Sequence, residues 1–316
     1  MTRFVVRRSL QTLVVLLLVS IFTFLIFQVI PNGDPAARMA GRTATPEQIA
    51  AIARTWGFDR PVYIQYLETM KKIFSGSVVS YSQQINVVSQ IQRGLPATVS
   101  LAVGASLIWL VLGIAVGLAS ALRPGRLLDR ALAFLALTSI SAPVFVIGAV
   151  LLYLFAYKTS ILPSGGYVGL SNDPWQWFLH MLLPWISLSL PFIGFYSRVL
   201  RSNVLDVKHE DYVRMARAKG LTGRRVLLAH VLRTSLIPIV SLWGLDFAGV
   251  IGGGAILIES IFDLQGVGQY AAQSIQTLDV PPIMVIVMYT AVLVVVVAAF
   301  VDVLYAFLDP RISLNA

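Results

Sequence analysis

Three carboxylates stand where carboxylates are rare: Asp246, Glu259 and Asp302 fall within long apolar runs. A charged side chain inside a bilayer is costly, so each is a candidate for function. Asp246 sits about nine residues into its run, so about 14 Å deep at about 1.5 Å per residue, near the bilayer middle. It shares a helical face with Gly249, Val250 and Gly253, and the triplet Gly252-Gly253-Gly254 overlaps that face. Such a face either packs closely on another helix or borders a passage. Asp246 therefore has two readings. It lines a path and meets an amine or water there, or it holds a neighbouring helix or subunit through a hydrogen bond. Glu259, near the outer end of the same run, either helps to close an outer gate or orients the loop 261–281. Asp302 reads as a structural partner for a loop arginine. Asp246 and Glu259 together would also suit a proton relay.

Other chemistries lack their residues. The only histidines are His180, His209 and His230, and no H-E-x-x-H or G-x-S-x-G string occurs. Zinc hydrolysis and a serine nucleophile are both left without a constellation. There is no cysteine, hence no thiolate metal site and no thiol nucleophile. No catalytic residue and no metal site is assigned. A G-x-x-x-x-G-K-[ST] string is absent too, so this chain has no phosphate cradle of that type. A passive channel would call for a ring of charge or a filter-like string, and neither is present.

The elements that must position these residues follow from composition. Of the 316 residues, 57% are hydrophobic and 12% charged, against about 25% charged in soluble domains. A lipid-facing surface accounts for that deficit. The net charge of +9 points to lipid rather than nucleic acid, because the basic residues gather at the ends of apolar runs. Six runs are long enough to span: about 9–30, 95–122, 129–157, 178–200, 237–260 and 282–308, each near the roughly 20 residues required. The first follows Arg3, Arg7 and Arg8 as a signal peptide would. Its apolar stretch is too long for one, and no small-x-small site follows closely, so it reads as a retained span. With the long 31–94 loop set aside, one side of the membrane holds 16 Lys and Arg and the other only Lys158. Both termini are therefore expected in the cytoplasm of a prokaryotic cell, with loops 31–94, 158–177 and 261–281 outside. Trp175 and Trp177 fall at the outer interface, where indoles concentrate.

The expected organisation is an all-α integral membrane protein. Residues 1–30 form the first transmembrane helix. Residues 31–94 form an extracytoplasmic loop with short helices at 46–52 and 61–74, each with a proline in its first turn. Residues 95–316 form the core of spans two to six, with a cytoplasmic loop at 201–236. Gly113-Ile-Ala-Val-Gly117 marks close helix packing. Pro143, Pro184 and Pro191 are expected to kink their spans.

The cytoplasmic loop carries the strongest pattern. Tyr212, Met215, Ala216 and Lys219 recur at helical spacing, while Arg214, Arg217 and Arg224 point elsewhere. Glu210 and Asp211 open the helix, Lys219 closes it, and Gly220 suits a left-handed cap. A second helix, 224–234, leads into span five. Two stiff helices around a glycine turn could be gripped by another protein, or could lie on anionic lipid.

The string Asp211-Tyr-Val-Arg-Met-Ala-Arg-Ala-Lys-Gly220-Leu221, followed by His230-Val-Leu-Arg233 and Ile237-Pro238, resembles the cytoplasmic loop of ABC importer permeases. It is most similar to the dipeptide/oligopeptide/nickel branch. Further matches are Gly57-Phe-Asp-Arg-Pro61 with Gln65-Tyr66, Leu95-Pro-Ala-Thr-Val-Ser-Leu101, Ser141-Ala-Pro-Val-Phe145 and Ile161-Leu-Pro-Ser-Gly165. Glu259-Ser-Ile-Phe262, Gly266-Val-Gly268, Asp302-Val-Leu-Tyr305 and Asp309-Pro-Arg311 continue the series. Arg214-Met215 stands before Ala216 where the wider family has acidic-Ala, and His230-x-Leu232-Arg233 replaces Ile-x-Leu-Pro. Both departures suit the peptide branch.

The resemblance implies the six-helix type I importer permease fold with a small helical outer cap. It implies a second homologous permease, two cytoplasmic ATPase subunits or domains carrying the ATP and Mg, and an extracytoplasmic substrate-binding protein. This chain itself would hold no cofactor and hydrolyse nothing. Asp211, Tyr212, Met215, Ala216, Ala218, Lys219, Gly220 and Leu221 would meet the ATPase, and Asp246, Gly249, Gly253 and Glu259 would border the path. Short peptides are the implied cargo, with nickel complexes, haem or glutathione as alternatives. The rival reading from the residues alone is a proton-coupled secondary carrier, although the two halves show no inverted repeat.

Overall fold

Proline and glycine decide where the apolar runs of this chain become one helix or two. The computed structural model describes residues 2–29, 36–37 and 45–308, without the side chains of residues 2–9, 11, 55–56 and 302–308. The Asp309-Pro-Arg311 string, most of 30–44 and the side chain of Asp302 lie outside the described set. The helices are α1 (Thr2–Phe24), α2 (Pro46–Trp56), α3 (Val62–Phe74), α4 (Val87–Leu122), α5 (Leu127–Ser141) and α6 (Val144–Leu152). They continue with α7 (Pro174–Val207), α8 (Asp211–Ala218), α9 (Gly223–Val226), α10 (Arg233–Gly249), α11 (Ile256–Ile261), α12 (Val267–Gln276) and α13 (Val280–Leu308). Among the described residues the only β feature is an isolated bridge between Val79 and Asn86. Five helical stretches are long and apolar enough to cross a membrane, and α5 with α6 makes a sixth when counted as one broken span.

That broken span departs from the single run expected at 129–157. α5 and α6 meet at a bend of 99°. Ala142, at φ −83° and ψ 128°, is extended, as the ring of the following Pro143 demands. Pro184 and Pro191, by contrast, lie inside the continuous α7. Span two also starts earlier than its apolar run. Asn86 Oδ1 accepts the Ser89 N–H at 2.9 Å, a side-chain cap that begins α4 at Val87 among polar residues. Pro96 then falls inside the helix.

Contacts group the chain into two compact units, Met1–Pro96 with Gly266–Val295, and Ala97–Gln265 with Val296–Ala316. In the first unit, α2 begins with a reciprocal cap. The Gln48 N–H reaches Thr45 Oγ1 at 3.3 Å and the Thr45 N–H reaches Gln48 Oε1 at 2.9 Å. Gln65 donates to the carbonyls of Phe58 and Arg60, which fixes the turn between α2 and α3. Val78, Val87, Ile91, Val267, Tyr270 and Val285 build its core. Asp279 closes it, accepting the N–H groups of Tyr81 at 3.0 Å and Ser82 at 3.1 Å and the hydroxyls of Ser80 and Ser82. The helix α12 arises inside what reads as a loop in the sequence.

In the second unit, α4 packs on α7 through the expected small residues. A Cβ at Gly113 would come within 2.7 Å of Tyr196 Cβ, and one at Gly117 within 2.7 Å of the Ser197 carbonyl oxygen. Trp185 donates its indole N–H to the Ser100 carbonyl at 2.8 Å. Trp177 turns inward as well, donating to Ser100 Oγ at 3.2 Å, so that only Trp175 of the expected interfacial pair is exposed. Inserting a methyl group into a filled interface costs about 1–3 kcal/mol. Gly113→Ala is therefore expected to lower the melting temperature of the detergent-solubilised chain. At Gly249 a Cβ meets no atom of this chain within 4 Å, so Gly249→Ala should leave that temperature unchanged or raised. Equal losses at both positions would contradict this packing.

Candidate functional site

The loop 201–236 is held by local backbone chemistry at both ends of its helix. Glu210 precedes α8 in an extended conformation, and its carbonyl accepts the N–H groups of Val213 at 3.0 Å and Arg214 at 3.1 Å. At the other end the Gly220 N–H reaches the Arg217 carbonyl at 2.9 Å, and the Leu221 N–H reaches that of Ala216 at 3.4 Å. These paired bonds form the C-terminal lock that a left-handed residue makes possible. Gly220 supplies that residue, with φ +80°. A side chain at Gly220 would meet nothing within 4 Å, so its backbone angle rather than crowding calls for glycine.

The helix presents Tyr212, Met215 and Lys219 of the face its periodicity marks, but not Ala216. Val213 and Ala216 turn into the chain, at 0% and 6% exposure. Tyr212 and Met215 face out, at 42% and 58%, together with Asp211, Ala218 and Lys219. Ala216 thus belongs to the inner packing. Sequence spacing could not separate the two, because adjacent apolar residues straddle the boundary between faces. The Tyr212 hydroxyl also donates back to Thr234 Oγ1 at 3.1 Å. Beyond Gly220, helical backbone runs from Gly223 to Gly254 through α9, a π turn at Leu227–Leu232, α10 and a second π turn at Val250–Gly254. The loop helix and the helical stretch of span five are therefore linked by the four residues 219–222 and a side-chain bond.

The carboxylates within span five each have a partner on another helix. Asp246 accepts the hydroxyl of Tyr196, on α7, at 2.7 Å. Tyr196 is fully buried and rests on Gly113, which aims its ring across the bundle. Glu259 is also fully buried and accepts Thr98 Oγ1, on α4, at 2.7 Å. Between them Gly253 takes φ +130° inside the π turn, a region in which a side chain is strained. Gly249 is exposed. The end of α11 is held in turn, since the Phe262 carbonyl accepts the Gly166 N–H at 2.9 Å. His180 Nδ1 lies 2.9 Å from the Gly165 carbonyl oxygen and has a structural place there.

Tyr196, Thr98 and Thr234 are the partners that sequence reading missed. Tyr196 is one phenol in a long apolar run, and the 50 residues between it and Asp246 hide their pairing. Thr98 does stand in the quoted Leu95-Pro-Ala-Thr-Val-Ser-Leu101 string. Among the described residues no cluster of His, Cys, Asp or Glu could hold a metal ion.

Known proteins match nearly the whole chain. Residues 113–314 match the model of the binding-protein-dependent transport system inner membrane component, and residues 1–102 that of the family's N-terminal region. A probable peptide ABC transporter permease of Sinorhizobium fredii is 36% identical over 310 residues, covering 98% of each chain. A glutathione transport system permease of Salmonella typhi is 35% identical over 315 residues and 99% of each chain. A probable D,D-dipeptide transport system permease of Escherichia coli is 33% identical, covering 93% of each. Among solved structures, an inward-facing form of the MetNI methionine ABC transporter aligns at a TM-score of 0.54. The alignment has 15% identity and covers 69% of this chain and 96% of that one. At that identity it establishes a shared fold.

The Tyr196–Asp246 bond yields a paired expectation. Asp246→Asn keeps an oxygen for the hydroxyl, whereas Asp246→Leu strands it, a loss worth about 1–3 kcal/mol. The leucine variant should reduce the intact protein extracted from membranes, and the asparagine variant should not. Equal reduction in both would mean that the charge itself is required.

Proposed function

This chain belongs to the family of binding-protein-dependent transport system inner membrane components, and from that premise we propose that it forms half of an ATP-driven import path for short peptides. The observation that carries the proposal is the loop helix itself. Tyr212 and Met215 are exposed on a helix locked at Gly220 and tied by Tyr212 to the start of span five. A rigid, outward-facing helix joined to a transmembrane helix suits a part that is pushed.

The partners in this reading are a second homologous permease, two cytoplasmic ATPase subunits or domains, and an extracytoplasmic binding protein. ATP and Mg would be held on the ATPases, consistent with the missing phosphate-binding string. Both termini and the loop 201–236 would face the cytoplasm, as the distribution of Lys and Arg favours. Asp211, Tyr212, Met215, Ala218, Lys219, Gly220 and Leu221 would form the contact with the ATPase, and Ala216 would support it from beneath. Asp246, Gly249, Gly253 and Glu259 would border the path, with the exposed flank of Gly249 the part most open to a solute or a second permease. Peptide cargo is supported by the names of relatives at 33–36% identity, and the glutathione permease adds a tripeptide to that class.

The test is uptake by the assembled transporter in proteoliposomes. Uptake should require ATP inside the vesicles and survive an ionophore that collapses the proton gradient; loss with the ionophore alone would favour a proton-coupled carrier. A non-glycine residue in the left-handed region costs roughly 1–2 kcal/mol, least for Asn. Gly220→Asn should therefore retain uptake, and Gly220→Val should hydrolyse ATP with little uptake. Normal uptake and normal hydrolysis in Gly220→Val would refute the lever.

A further inference from the structure

A cytoplasmic group of side chains outside the loop helix has the geometry of a fixed support. Asp129, in the first turn of α5, is buried to 5% exposure. Its Oδ1 accepts Arg201 Nε–H at 2.8 Å and the Ser120 hydroxyl, and its Oδ2 accepts Arg201 Nη2–H at 2.9 Å and the Gly125 N–H at 2.8 Å. One carboxylate thus joins the last turn of α4, the turn that follows it, the start of α5 and the end of α7. The two-pronged guanidinium contact fixes orientation as well as distance, as a single bond to lysine could not. A second tie lies close by. Lys208 donates to the Ala121 carbonyl at 2.7 Å, meeting one of the free acceptors at the end of α4.

Arg201 and Lys208 are seven residues apart, so they share a helical face and stand about 10 Å apart along it. Attachment at two points stops α7 from tilting against α4. Lys208 is followed by only His209 and Glu210 before α8 begins, in turns closed by His209 N–H to Asp206 and Glu210 N–H to Val207. The loop helix therefore hangs from a braced post on one side and runs into span five on the other. Among the described residues no ion pair ties residues 223–236 to another span. The charged ties are one-sided, while residues 223–236 are held by packing of the buried Val226, Val231 and Ser235.

We propose that Asp129, Arg201 and Lys208 are positioning residues that form the support against which the coupling loop works, so that displacement of α8 turns span five and leaves span four in place. The proposal rests on the reading that α8 is pushed by an ATPase, and it adds the reason that the push has a direction. Without the brace, the same displacement would be shared with α7 and lost to the path.

The experiment compares solute taken up with ATP hydrolysed, using the complete transporter in proteoliposomes and the yield of assembled complex as a control. Asp129→Asn removes the two-pronged contact. It is expected to assemble and hydrolyse ATP while uptake per ATP falls about fivefold, within the range over which side chains between sites alter coupling. Arg201→Lys keeps the charge but only one bond and should give an intermediate ratio; Lys208→Met should lower the ratio more mildly. An unchanged ratio of uptake to hydrolysis in complexes that assemble would overturn the proposal. Should Asp129→Asn not assemble, Lys208→Met decides alone, and an unchanged ratio there overturns the support. Gly220→Val in the same vesicles separates the two ideas. If it uncouples and the brace variants do not, the support fails alone. If neither uncouples, the reading of the loop fails with it.

Discussion

A cytoplasmic helix can move a transmembrane one only if nothing between them yields. Here the connection is short and doubly fixed. The bonds around Gly220 close the loop helix without fraying, and Tyr212 reaches over the turn to Thr234. From Gly223 to Gly252 the backbone is helical, and although Pro238 leaves one bond of its ladder unmade, such a helix resists bending far better than a loop. That interruption lies within α10, and the backbone itself first leaves helical angles at Gly253, at φ +130°. Gly253 thus separates the part of span five that continues the loop from the part held by Glu259.

The membrane sets the second constraint. Polar groups without water must find partners within the protein, since each unmet group costs several kcal/mol. The chain meets this at each carboxylate whose side chain is described inside a span. Asp246 has the Tyr196 hydroxyl and Glu259 the Thr98 hydroxyl. These bonds tie span five to spans four and two at different depths. Such residues need not be reactive to matter, because they fix the points at which span five is held to its neighbours. Outside the spans, Asp279 with its serine and backbone donors does the same for the outer segments.

Much of this was legible in the sequence where local rules operate. Pro46 marks a helix start, Gly220 a helix end, and Gly113 with Gly117 a close crossing. What escaped was long-range or directional. Pro143 marks a kink within 129–157, but neither it nor hydropathy gives the size of the bend, 99°. The head of α4 carries Ser89, Gln90, Gln92 and Arg93, so an apolar window misses helix that stands beyond the lipid. Asp129 and Arg201 are 72 residues apart, and no spacing rule joins them. The short strings that mark the family prove to be joints: Ser141–Phe145 is the bend, and Ile161–Gly165 leads into the glycines held against Phe262.

The chain contains no cysteine, so one introduced at Met215 is a unique chemical handle on the outward face of the loop helix. The most direct measurement is thiol cross-linking of Met215→Cys in the assembled transporter during uptake, resolved by subunit. The account predicts a cross-link to the ATPase chain that forms during turnover and stops transport once made. A Met215→Cys that reacts freely with a bulky maleimide from the cytoplasmic side throughout turnover, with transport undisturbed, would contradict it.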